Sequence, residues 1–323
     1  MNPNQTSVPA RLDTAAYRDG QITRWRVGAS TFIAIPERGA RLLRWEVARP
    51  DGTMQEVIYW PARTPLAELP VIRGGNPILF PFCARSFVDG EIFFWRDHAG
   101  TVRPMPLHGI ARQSAFRVTR LSASGFSAVL VPDATAREAY PYDYDFTVRY
   151  RFEAQGLRTE LELFNRDQRP IPWSAGHHFY ITLPWSRGLQ RKDYTVDIPS
   201  RQSYRQDAIG MLQPGPRFAR RESLDNSELS ATMHCGLEGN EFFVTEQGTG
   251  SRLRIVTNFI NTDGREAAFT TWTGDDESPY YCFEPWMGPP NAPETRIGLH
   301  HVPPGESQKF CVDVMLEPAG ARP

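Results

Sequence analysis

Four side chains in this sequence stand where they could move protons: His108, His177, His178 and Glu284. Imidazole titrates nearest to neutral pH, and a carboxylate can be tuned toward it by burial. Together they could serve as a general acid and a general base. His108 lies in Met105-Pro106-Leu107-His108-Gly109-Ile110-Ala111-Arg112. Pro104 and Pro106 remove backbone donors and stiffen the approach to it. Gly109 permits an unusual backbone angle just after it. A rigidly presented histidine suits acid–base work or hydroxyl binding, and it equally suits a core histidine satisfied by a carbonyl.

His177 and His178 lie in Trp173-Ser174-Ala175-Gly176-His177-His178-Phe179-Tyr180-Ile181-Thr182-Leu183-Pro184. On a strand, successive side chains face opposite sides. One face then carries Trp173, Ala175, His177, Phe179, Ile181 and Leu183, an apolar set fit for a core. The other carries Ser174, Gly176, His178, Tyr180 and Thr182, a polar set fit for a pocket wall. This parity assigns His178 to function and His177 to the core, with one hydrogen bond. Glu284 ends the aromatic run Tyr280-Tyr281-Cys282-Phe283-Glu284-Pro285-Trp286. A carboxylate there is costly to bury unless it is paired or used. Half-burial would raise its pKa toward that of a useful base; the alternative is a salt bridge to a nearby Arg. Trp286 shares strand parity with Glu284 and offers a flat face for a ligand ring, as do Phe82 and Tyr180. Trp286 could instead pack under the loop that follows it.

The elements that must position these groups read as short strands. Phe146, Val148, Tyr150 and Phe152 share one side of a candidate strand. After a turn at Ala154-Gln155-Gly156, Leu157, Leu161 and Leu163 continue on the return. Further strands are expected at Trp25–Ile35, Arg41–Ala48, Phe126–Val131, Leu253–Thr257 and Phe310–Leu316. Helix is expected only at Asp133–Ala139 and Thr64–Leu69. The 25 Gly and 28 Pro punctuate the chain too often for long helices. With no repeat and no linker, the 323 residues read as one all-β domain, a large antiparallel β-sandwich with frayed ends at about 1–12 and 319–323.

Composition excludes several classes. A net charge of −1 offers no basic excess for a nucleic-acid backbone. No apolar run approaches the roughly 20 residues of a membrane helix, and the N-terminus lacks a signal-peptide pattern. Cys83, Cys235, Cys282 and Cys311 are scattered without C-x-x-C spacing, so free thiols and a cytoplasmic location are expected.

One more segment completes the set: Gly74-Gly75-Asn76-Pro77-Ile78-Leu79-Phe80-Pro81-Phe82-Cys83-Ala84-Arg85, a turn-rich stretch ending in a fixed cation. Taken in order, Gly74–Arg85, Pro106–Arg112, Gly176–Ile181 and Cys282–Ala292 resemble the four ordered motifs of the aldose 1-epimerase, or galactose-mutarotase-like, family. The late Glu-Pro-Trp resembles the bacterial branch more than the galactose mutarotases themselves. The resemblance implies a β-supersandwich with an aldose bound in a cleft on one sheet, and no cofactor. It implies Glu284 as the base at the anomeric hydroxyl, His178 as the acid at the ring oxygen, and His108 as an assisting hydrogen-bonder. It implies Arg85 as the grip on a hydroxyl or a phosphate. Arg112, which ends the second motif, and Asn291, within the fourth, join Arg85, Trp286, Tyr180 and Phe82 as expected substrate-binding residues.

Three alternatives stand beside this reading. A hexose-6-phosphate mutarotase would gather Arg73, Arg85 and Arg112 at the cleft rim. A sugar-binding protein of the same fold would lack catalysis. A 2-His-1-carboxylate metal site is disfavoured, because His-x-His spacing is missing and His177 and His178 face opposite ways. No metal is expected. The expected partner is a small sugar, an aldose or aldose phosphate; the oligomeric state is not legible.

Overall fold

A computed structural model describes residues 11–17, 20–62 and 65–318. Two large sheets dominate. The first has 13 strands. Along its main path run Arg11–Tyr17, Gly20–Val27, Ser30–Ile35, Arg41–Ala48, Met54–Ile58, Phe179–Thr182, Tyr280–Trp286, Ala268–Trp272, Thr232–Leu237, Ser200–Gln206 and Leu212–Pro214. The second has nine strands, with Tyr144–Glu153, Gly156–Asn165, Ser307–Glu317 and Arg252–Ile260 side by side at its centre. The strand ladders are antiparallel, as expected for a sandwich whose strands bury one face each.

The hairpin expected around residue 155 is present. Phe152 pairs with Leu157 and Glu153 with Gly156, so Ala154 and Gln155 form a two-residue turn. Phe146, Val148, Tyr150 and Phe152 all point inward and are buried. They meet the first sheet through aromatic contacts. Phe80 stacks on Phe146 at 3.8 Å and Phe32 on Phe152 at 4.3 Å. One buried cluster draws on both sheets. Its apolar area leaving water is the main stabilising term for the fold.

Several boundaries differ from the sequence expectation. Trp25–Ile35 is two strands, because Gly28 turns the chain at φ 57°. The helix at Ala134–Ala139 forms, with the Asp133 carboxylate accepting from the Ala136 N–H at 2.8 Å, a standard N-cap. The second expected helix is a 3-10 segment at Leu66–Val71. The segment 173–184 is not one strand but three short pieces. Ile171–Trp173 leaves the main sheet to pair with His300–Val302. Of the residues expected to fray, Arg11 and Leu12 begin a strand; the others lie outside the described residues. Among the described residues no helix is long and apolar enough to cross a membrane, and all four cysteines are free.

Candidate active site

Two neighbouring strands in the middle of the first sheet build the site. Phe179 pairs with Phe283, Tyr180 with Cys282 and Gly176 with Trp286. Each of these pairs has the same register, and the same register sets His178 opposite Glu284. Tyr180, His178 and Gly176 therefore share one sheet face with Cys282, Glu284 and Trp286, since alternate residues point the same way. Gly176 is needed there. A Cβ on it would come within 2.5 Å of the Trp286 ring.

His178 Nε2 lies 3.3 Å from Glu284 Oε1. The Tyr180 ring stacks on the His178 imidazole at 4.6 Å with 9° between planes, which fixes the imidazole edge toward the carboxyl. Both members of the pair are nearly inaccessible. Burial pushes the Glu284 carboxyl well above the usual carboxylate range. Burial also holds His178 well below its ordinary value, helped by nearby His108, Arg41 and Arg112. Both shifts have the same cause: a charge in this site loses its water.

His108 reaches the same cavity from a separate loop. Two residues in the left-handed region carry the chain there, His108 itself at φ 63° and Gly109 at φ 76°. The sequence pointed to Gly109 alone. A Cβ on Gly109 would sit 2.0 Å from the Phe80 carbonyl oxygen, so only glycine fits. The loop is stitched to the Gly74–Arg85 segment by the Ile110 N–H donating to the Phe80 carbonyl at 2.6 Å and the His108 N–H to the Ala84 carbonyl at 2.9 Å. The Ala84 N–H donates to His108 Nδ1 at 3.1 Å. A backbone N–H can only donate, so the neutral ring carries its proton on Nε2. Burial lowers the His108 pKa to about 3. His108 is thus a fixed neutral N–H donor, and its ring lies 5.5 Å from that of His178.

His177 points the other way. It is fully buried against Phe179 and Phe310. Asn76 joins the two histidines. Its Oδ1 accepts from the His178 N–H at 3.0 Å, which orients the amide. Its Nδ2 donates to the Tyr150 hydroxyl at 2.7 Å and faces His177 Nδ1 at 3.1 Å. His177 Nδ1 must then accept, leaving its proton on Nε2.

The cavity around the pair has a volume of about 480 Å³, and Arg85, Arg112, Tyr180 and Trp286 line it together with His108, His178 and Glu284. That suits one ligand the size of a monosaccharide. Two expected binding residues are not on its wall. Phe82 is in the core, packed against Trp95 and Tyr140; it lies outside any strand, at an isolated bridge to Ser174. Asn291 is buried away from the cavity, and its Oδ1 accepts from the Phe87 N–H at 2.9 Å. It stands at φ 59°, a conformation asparagine tolerates, and its role is to turn the chain.

Sequence reasoning missed other contributors. Trp272 lines the cavity with its ring 6.0 Å from His178. Thr270, directly opposite Glu284 on the neighbouring strand, lines it too. Arg41 is fully buried and donates to the carbonyls of Leu69, Ile72 and Gly74, which pins the loop carrying Arg73. Its burial lowers its pKa to about 10. Alternation in Thr270–Trp272 could have revealed the two strand residues; nothing local marks Arg41. Among the described residues, five cavity residues also carry a buried polar atom without a protein partner: Arg112 Nε, His178 Nδ1, Glu284 Oε2, Thr270 Oγ1 and Trp286 Nε1. A polyhydroxylated ligand can both donate and accept, which is what such atoms require.

His178, Cys282 and Glu284 bring ligand atoms within 4.8 Å of one another, the spacing of a metal site. The donors fit poorly. Burial and the neighbouring Glu284 push the Cys282 thiol well above its ordinary value, whereas a metal ligand must be thiolate.

Known proteins similar to this chain share its fold. A family profile described as Aldose 1-epimerase matches residues 23–314. The chromosomal LacX protein of Lactococcus lactis subsp. lactis is 22% identical over 228 residues, covering 67% of this chain and 74% of that one. A galactose mutarotase-like protein from Clostridium acetobutylicum superimposes with a TM-score of 0.76 at 15% identity, over 97% of this chain and 100% of that chain. A galactose mutarotase related enzyme from Lactobacillus acidophilus gives 0.75 at 18% identity, over 93% and 99%. The structural matches show a shared fold, and the profile spans nearly the whole chain: this protein belongs to the aldose 1-epimerase family.

Proposed function

We propose that this protein is an aldose 1-epimerase, interconverting the α and β anomers of an aldose by acid–base ring opening and closure. The observation that carries the proposal is the opposed His178–Glu284 pair, 3.3 Å apart on the wall of a monosaccharide-sized cavity. The ring oxygen and the anomeric hydroxyl of an aldose are bonded to the same carbon. An acid for one and a base for the other must therefore be neighbours.

The Glu284 carboxylate takes the proton of the anomeric hydroxyl. The freed electron pair forms the C1 carbonyl, the bond from C1 to the ring oxygen breaks, and His178 protonates that oxygen. Rotation about C1–C2 presents the other carbonyl face, and the steps run in reverse. Proton inventory permits this despite the opposed shifts. A neutral carboxyl with a neutral imidazole holds as many protons as a carboxylate with an imidazolium. One proton crossing the contact converts the first pair into the second, and the sugar hydroxyls supply the solvation that burial removed. His108 Nε2–H is a donor to a sugar oxygen. Trp286 and Tyr180 supply aromatic walls, and Arg85 and Arg112 bind polar substituents. No step calls for a cofactor.

We read the described residues as one domain, because one buried cluster draws on both sheets. Four free cysteines support a reducing, cytoplasmic setting.

The test is NMR exchange between anomers over a panel of aldoses with the purified protein. Enzyme-dependent exchange on at least one sugar is expected, unchanged by a chelator. Sugar binding without exchange on any member would instead make this a carbohydrate-binding protein of the same fold.

A further inference from the structure

Asn291 does not line the cavity of the His178–Glu284 pair, yet it borders a second one. This second cavity has a volume of about 430 Å³ and lies on the same face of the first sheet. Tyr204 and Cys235 line it, each two residues along its strand from a residue of the first cavity, Gln206 and Met233. Residues two apart share a face, and Tyr204 pairs with Met233 across the ladder. Gln206 separates the two cavities. Its Nε2 donates to the Arg85 carbonyl at 3.0 Å on one side and to the Gly210 carbonyl at 2.9 Å on the other. The remaining walls are the turn at Gly210 with Met211 and Leu212, and the segment from Asn291 to Ile297.

The turn is preformed. The Asp207 carboxylate accepts from the N–H groups of Ile209 and Met211 at 3.1 and 2.9 Å and from Gln213 Nε2 at 3.0 Å. It thereby holds Ile209 and Met211 each 45% exposed, and Ile297 on another wall is 47% exposed. Large apolar side chains kept in water in and beside one cavity mark a ligand site. The rings of Phe87 and Tyr204 and the sulfurs of Met211 and Cys235 favour an aromatic occupant. The charged wall residues are one of each sign, and both have protein partners: Arg265 pairs with Asp263, and Glu266 accepts from the Gly298 N–H. The Tyr204 hydroxyl donates to Gln202 Oε1 at 2.8 Å. Among the described residues, Asn291 Nδ2 is the one buried polar atom of this wall without a protein partner, while its Oδ1 is taken by the Phe87 N–H. An amide N–H can only donate, so the occupant must bring an acceptor. The volume suits one small molecule. We propose that this second cavity binds a small neutral aromatic compound whose carbonyl oxygen accepts from the Asn291 amide. The proposal does not rest on the epimerase reading.

The experiment uses the full chain and four probes of one ring size: acetophenone, benzamide, toluene and benzoate. Affinities are measured by ligand-observed NMR, and a crystal soaked with acetophenone locates the probe. Acetophenone and benzamide should bind at least about fivefold more tightly than toluene, which has no acceptor. Benzoate should bind more weakly than both, since its charge would lose water without a counter-ion. The soaked crystal should place the acetophenone ring in this cavity with its oxygen on Asn291 Nδ2. Asn291→Gly tolerates the left-handed backbone and deletes the donor, so acetophenone should lose its advantage over toluene. Cys235→Phe fills the cavity from its wall. It should abolish binding of all four probes while any anomer exchange shown by the wild type stays within about threefold.

Toluene bound as tightly as acetophenone, or an acetophenone advantage that survives Asn291→Gly, overturns the role of the amide and with it the proposal. Benzoate as the tightest probe overturns the neutral class. No binding of any probe to the wild type, or acetophenone located elsewhere in the soaked crystal, overturns the site itself. None of these outcomes bears on anomer exchange, so the epimerase reading stands or falls separately.

Discussion

His177 and His178 are adjacent in sequence, both buried, and opposite in everything that matters for chemistry. Alternation along the chain turns His177 into the interior between Phe179 and Phe310 and turns His178 toward the cavity. Desolvation acts on both. It lowers the His177 pKa to about 3 and holds His178 well below its ordinary value. The difference is the partner. His177 faces the neutral Asn76 amide at 3.1 Å, so its protonation state is fixed. His178 faces Glu284, with which it can exchange a proton at little cost in net charge. Burial alone makes a histidine inert; burial beside a complementary ionisable group makes it a candidate catalyst. Asn76 serves both, since one amide holds the His177 ring and the His178 backbone.

That contrast can be broken experimentally. On the cavity side, His178→Asn should lower anomer exchange by about 10²–10⁴-fold while the fold persists, as removal of a general acid does; near-normal exchange would move the acid elsewhere. Asn76→Ala sits between the two regions. It removes hydrogen bonds to both histidines and to Tyr150, so kcat should fall by about tenfold with KM little changed, and stability by about 2–3 kcal/mol. A rise in KM alone would mean that Asn76 does not position His178. On the core side, His177→Asn should cost about 1–3 kcal/mol in denaturant unfolding and leave the rate within about threefold. A large rate loss at unchanged stability would show that the two faces are not separable.

The smallest effect is a pH dependence. Glu284 has a folded pKa above its unfolded value near 4.5. The unfolded chain therefore releases this proton first as pH rises. The stability associated with the group is fully present below about pH 4.5 and is lost as pH climbs toward the folded pKa. Glu284→Gln removes that loss, so the variant should gain on the wild type as pH rises above about 4.5 toward the folded pKa, by at most about 1.4 kcal/mol per pH unit. Parallel stability curves would mean that Glu284 ionises normally in the folded protein.

Strand parity made much of this legible beforehand. It separated His178 from His177 and placed Trp286 with Glu284, because a period of two survives even where the segment 173–184 breaks into three pieces. Parity did not help Phe82, whose motif follows a turn and enters the core. Asn291 was misplaced because a loop has no face: its side chain caps the Phe87 N–H, a contact 204 residues away. Arg41 and Asn76 act through partners 28 to 102 residues distant, and only the assembled sheets bring those together. The clustering of Arg73, Arg85 and Arg112 could be named from sequence but not located in space.

The most direct test of the account is a paired measurement on Glu284→Gln: anomer exchange by NMR and sugar affinity by calorimetry, using the best wild-type substrate. The substitution keeps size and hydrogen-bonding shape and removes basicity. The account predicts that exchange falls by on the order of 10²–10⁴-fold while affinity stays within a few-fold of wild type. Near-normal exchange in the variant would contradict it, because Glu284 would then not be the base.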